Sequence, residues 1–120
     1  MSDTNTSYRE LTRRVSSNLA TLRSGTPEVM KAFGDLGRAA TANGVLDSKT
    51  KELIALALGV AARCDACIGF HVQALVRLGV SREELEETLA VATYMGGGPS
   101  LMYAANAVAA YQEFADAKQA

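Results

Sequence analysis

This chain is poor in the features that mark several large classes of protein. No stretch alternates apolar and polar residues with the two-residue period of a strand, and valine and isoleucine are few beside alanine and leucine, so sheet is not expected. Lysine and arginine are scattered along the chain and the formal net charge is −1, which leaves nucleic-acid binding without an electrostatic footprint. The longest apolar run, Leu53 to Ala62, is too short for a membrane span. The opening MSDTNTSYRE is polar and lacks the cationic start and apolar stretch of a signal peptide, so the expected compartment is the cytosol. Internal repeats, linkers and low-complexity tracts are missing as well. Cysteine and histidine are scarce, with two of the former and one of the latter. In the cytosol a lone Cys-x-x-Cys points to catalysis or metal binding before a structural staple.

What is present suits one helical domain. The 120 residues, 48% hydrophobic and 21% charged, suffice to bury a core without staples. Residues 1–6 read as a flexible N-terminus and 7–120 as a single all-α domain of about six helices. The first spans about 7–23, with Leu11, Val15, Leu19 and Leu22 three or four apart, and Gly25 closes it. Thr26-Pro27-Glu28 opens the second with a capping hydroxyl and an early proline, and Asn43-Gly44 is expected to end it in a left-handed cap. Asp47-Ser48 starts a third, apolar nearly all round beyond Glu52 and ending near Arg63. A fourth is expected from about Cys64 to Leu78, stopped by Gly79, and Ser81-Arg82-Glu83-Glu84 is a capping-box signature for a fifth over 82–95. Gly96-Gly97-Gly98-Pro99 interrupts the helices, and an alanine-rich helix follows from Ser100 to about Ala117.

The chemistry concentrates in Cys64-Asp65-Ala66-Cys67-Ile68-Gly69-Phe70-His71, with Glu52 twelve residues upstream. On a helix, Cys67 lies about 60° from Cys64 and His71 returns to within about 20° of it, so all three share a face. The sulfurs fall in the first turn, where free N–H groups and the helix dipole favour a thiolate. Their spacing also allows a reversible disulfide. If the third and fourth helices fold back on each other, Glu52 can orient His71 or take its proton, giving a Glu–His–Cys relay. Three other readings stand beside this one. Glu52 is equally a first-turn acid facing water. Two thiolates, an imidazole and a carboxylate would also make a four-donor zinc site. And the cysteines can serve simply as small buried apolar residues.

The spacing Glu52-x11-Cys64-x2-Cys67-x3-His71 resembles the signature of the AhpD-like alkylhydroperoxidases of the carboxymuconolactone decarboxylase superfamily. The likeness extends from Asp47 through Tyr103 and includes the glycine-proline break. It implies an AhpD-like helical fold assembled as a homo-oligomer, a trimer or a hexamer, with no cofactor or metal. It implies a peroxiredoxin-type oxidoreductase in antioxidant defence: an alkyl hydroperoxide reductase (a peroxidase) or a disulfide reductase. Cys67 would be the peroxidatic thiolate, Cys64 the resolving thiol, and His71 with Glu52 the proton relay. The substrate would be a small hydroperoxide, and the reductant a dithiol such as a lipoyl group or a thioredoxin-like protein. The chain departs from the family pattern at Ala66, where some members carry a further histidine. The alternatives are a non-enzymatic redox-sensing or chaperone-like binding protein and, third, a lactone decarboxylase-type enzyme, which would leave both cysteines without work.

Overall fold

Each junction between helices is decided by what takes up the free backbone groups at their ends. The computed structural model describes residues 7–119, so the stretch 1–6 expected to be flexible and residue 120 lie outside it. The described residues form six helices and no strand: α1 (Tyr8–Gly25), α2 (Pro27–Thr41), α3 (Ser48–Ala61), α4 (Asp65–Arg77), α5 (Arg82–Gly96) and α6 (Gly98–Gln119). Asp47 caps α3 as expected, its carboxylate accepting the Thr50 N–H at 2.8 Å, and that bond holds its carboxyl below the usual carboxylate range. Ser81 and Glu84 close the anticipated capping box on α5. Glu84 is more than a solvated acid, because Lys49 of α3 also reaches it at 2.8 Å and ties α3 to α5.

Three junctions differ from expectation. The Thr26 hydroxyl does not cap α2; it donates back to the Leu22 carbonyl at 3.3 Å and closes α1 instead. Asn43-Gly44 makes no left-handed cap. Gly44 is not among the positive-φ residues, and the first turn of α3 serves the end of α2: Ser48 Oγ donates to the Thr41 carbonyl and Lys51 Nζ to that of Ala42, each at 2.8 Å. The glycine-proline break shrinks to Gly97, whose φ of 76° suits only a residue without Cβ. Gly98 and Pro99 already belong to α6, since the first turn of a helix has no use for the missing proline N–H.

The core lies between α3, α4, α5 and α6. Leu56, Val60, Ile68, Val72, Leu75 and Leu85 are its largest fully buried side chains. Burying each contributes about 1.5–3 kcal/mol, and Leu75→Ala would cost about 2–5 kcal/mol with the cavity it leaves. Ala104, Ala107 and Ala110 are buried along one side of α6 and let it approach α4 and α5 closely. α4 is the hub, packing on α3, α6 and α1. α2 is the exception: it buries no residue and leaves Val29, Phe33 and Leu36 exposed along one stripe.

Candidate active site

The site is built at the corner where α3 ends and α4 begins. Two backbone bonds close α3: the Arg63 N–H donates to the Val60 carbonyl at 3.0 Å and the Cys64 N–H to that of Gly59 at 3.1 Å. This is the Schellman pattern, and it requires Arg63 to sit in the left-handed region at φ 58°. Cys64 then becomes the N-cap of α4, its Sγ accepting the Cys67 N–H at 3.2 Å. One residue thus ends one helix and starts the next, and both thiols, each free and partly exposed, stand at the start of α4.

Cys67 faces α3. A Cβ placed on Gly59 would lie 3.1 Å from the Cys67 Cβ, so the glycine in the middle of this apolar helix lets the two backbones close in. The resulting burial pushes the Cys67 thiol up to about 11, and its hydrogen bond to Cys64 and the Cys64 charge add to that rise. At neutral pH Cys67 therefore holds its proton.

One turn beyond Cys67, His71 meets Glu52 of α3: His71 Nδ1 and Glu52 Oε1 are 2.6 Å apart. The Glu52 side chain is only 13% exposed against 33% for His71, so the carboxylate is not the water-facing acid it could have been. With Nδ1–H donated to Glu52, His71 Nε2 keeps a lone pair for a proton. Cys67 and His71 stand four apart on α4, about 6 Å along the axis, on one face. The four residues are thus arranged as two pairs, Cys64 with Cys67 and Glu52 with His71. Among the described residues no group of three or more His, Cys, Asp and Glu is placed to hold a metal ion.

Sequence reasoning missed the other side of this corner. Tyr8 of α1 donates its hydroxyl to Asp65 Oδ1 at 2.8 Å, while its backbone N–H donates to Glu113 Oε1 of α6 at 2.6 Å. Burial and the Asp65 carboxylate hold the Tyr8 phenol well above its ordinary range, so it stays a donor. Asp65 lies between the two cysteines, and Tyr8 fixes it from 57 positions away. Gly69 makes room for α1 here, since a Cβ on it would come within 2.7 Å of Thr12 Cγ2. A mid-helix glycine is a readable sign of close approach for Gly59 and Gly69. No local pattern announces Tyr8.

Of the aromatic and methionine residues flanking the α5–α6 break, Tyr103 packs on the core, whereas Tyr94, Met95 and Met102 are exposed.

Comparison with known proteins gives a consistent result. The profile of the carboxymuconolactone decarboxylase family matches residues 27–110. An uncharacterised protein of Cupriavidus necator is 47% identical over 83 residues, 69% of this chain and 74% of that protein. Among solved structures, a carboxymuconolactone decarboxylase family protein from Legionella pneumophila superposes with a TM-score of 0.88 at 54% identity, covering 95% of this chain and 99% of that one. A family member from Thermotoga maritima, described as a candidate participant in an antioxidative response, superposes with a TM-score of 0.80 at 31% identity over 90% of this chain and 92% of its own.

Proposed function

The chain belongs to the carboxymuconolactone decarboxylase family, and on that premise we propose that it is a thiol-dependent oxidoreductase reducing a small alkyl hydroperoxide or a disulfide. The observation that carries this reading is the Glu52–His71 pair at 2.6 Å, set one turn from a Cys64–Cys67 thiol pair on the same helix. A thiol held at about 11 needs a base to react at neutral pH, and His71 is the one imidazole of the chain.

In the peroxidase form of the reaction, His71 Nε2 takes the Cys67 proton. The Cys67 sulfur attacks the outer peroxide oxygen, the O–O bond breaks, and the leaving alkoxide collects the proton to depart as an alcohol. Cys67 is left as the sulfenic acid. The Cys64 sulfur then attacks Cys67, hydroxide leaves and takes up the Cys64 proton as water, and a Cys64–Cys67 disulfide remains. A dithiol donor, a lipoyl group or a thioredoxin-like protein, returns the pair to thiols. Glu52 holds the imidazole in the required tautomer.

The exposed stripe of Val29, Phe33 and Leu36 on α2 supports a homo-oligomer as the working form, for which the family resemblance suggests a trimer or hexamer. The same exposure favours, as second reading, a redox-sensing or chaperone-like binder whose assembly changes on oxidation. The test is consumption of cumene hydroperoxide by the reduced protein with dihydrolipoamide as recycling donor. Steady turnover that disappears in Cys67→Ser is expected. A Cys67→Ser protein as active as the parent would overturn the proposal, and oxidation that alters oligomer size without turnover would favour the second reading.

A further inference from the structure

Although lysine and arginine are scattered in the sequence, the fold gathers four of the twelve around one cavity. It lies between α1, α4 and α6, has a volume of about 370 Å³, and is lined by Arg9 and Arg13 of α1, Arg77 of α4 and Lys118 of α6. No carboxylate lines it, and among the described residues none of these four cations forms a salt bridge. Lys118 is held in place by a 3.0 Å bond from its Nζ to the Val76 carbonyl at the end of α4. In a chain of net charge −1 this is a local concentration of one sign, and four converging cations repel one another unless an anion joins them. The floor is different in kind: Val76 and Phe114 are buried core residues that also line the cavity.

We infer that this cavity binds a small organic anion, its carboxylate or phosphate held by Arg9, Arg13, Arg77 and Lys118 and its apolar body resting on Val76 and Phe114. Guanidinium groups match the two-oxygen edge of a carboxylate or phosphate, and a volume of this size falls in the range of small-molecule pockets. The cavity's lining includes none of Glu52, Cys64, Cys67 and His71. Arg77 stands ten residues beyond Cys67 on α4, about 15 Å along the axis, and the Glu52–His71 pair joins α4 to α3 rather than to α1. The inference therefore does not depend on the proposed thiol chemistry.

Calorimetric titration of the full chain with phenyl phosphate, benzoate and inorganic phosphate, in low and high salt, tests it. Saturable binding of one phenyl phosphate or benzoate per chain is expected, weakened by salt and by at least about tenfold in Arg13→Ala/Arg77→Ala. Both arginines are exposed, so this variant should keep its helical circular dichroism and melting temperature. Absence of saturable binding, or affinity unchanged in the double variant, would overturn the site. Inorganic phosphate binding as tightly as phenyl phosphate would overturn the role given to the apolar floor.

Discussion

The corners that flank α4 are built on the same backbone device, which ends α3 at one and α4 at the other, and are filled by different residues. At the far end the Gly79 N–H donates to the Val76 carbonyl at 3.1 Å and the Val80 N–H to that of Leu75 at 3.0 Å; Gly79 takes the left-handed position at φ 80°, and Ser81 then caps α5. At the near end Arg63 occupies that left-handed position, and Cys64 both finishes the motif and caps α4. Glycine is comfortable at such a φ, whereas arginine is not, and a serine oxygen is a better capping acceptor than sulfur. The far corner is chosen for stability. At the near corner local stability is given up at two consecutive positions, Arg63 and Cys64, and the second of them carries one of the two thiols.

The comparison can be broken most decisively at the cap. Cys64→Ser should leave thermal stability unchanged or raised by up to about 1 kcal/mol, because a hydroxyl caps at least as well, while recycling through a disulfide is lost altogether. Thermal melts beside peroxide turnover would separate the two roles. Glu52→Gln comes next, with turnover falling on the order of a hundredfold and the fold intact, since it removes the carboxylate that orients His71 without changing volume. Paired substitutions at the left-handed positions should have opposite signs. Gly79→Ala should cost about 1–2 kcal/mol, whereas Arg63→Gly should cost nothing or add up to about 1 kcal/mol by denaturant unfolding.

A further effect is in pH. The Cys67 thiol is raised from its ordinary 9 to about 11, so between those values the folded chain holds a proton that the unfolded chain has lost. Its contribution is fully present below pH 9 and is lost as pH rises towards 11. Cys67→Ser should flatten the stability–pH curve over that interval relative to the parent. An unchanged slope would mean the thiol is not held as described.

Where the sequence was readable, the reason was local. Helix starts at Asp47 and Ser81 are set by side chains within the first turn, and the placing of Cys67 and His71 on one side of α4 follows from helical spacing alone. Placement of Glu52 against His71 needed α3 to fold back on α4, which the sequence left open. Thr26 misled because its hydroxyl had two helix ends within reach and served the earlier one. Asn43-Gly44 misled because Ser48 and Lys51 already satisfied the carbonyls a left-handed cap would serve. The Tyr8–Asp65 bond and the cationic cavity join residues from distant helices, so no window along the chain holds them together. Helix α2 has the clearest apolar stripe of all, yet among the described residues nothing covers it.

The central claim is that Cys64 and Cys67 act as one redox unit served by His71. It is tested most directly by mixing the reduced protein with one equivalent of an organic hydroperoxide and following free thiols and peptide masses. The account predicts that both thiols disappear together, that the peroxide is reduced to its alcohol, and that the new species is a Cys64–Cys67 disulfide. Peroxide left intact beside two free thiols would contradict it.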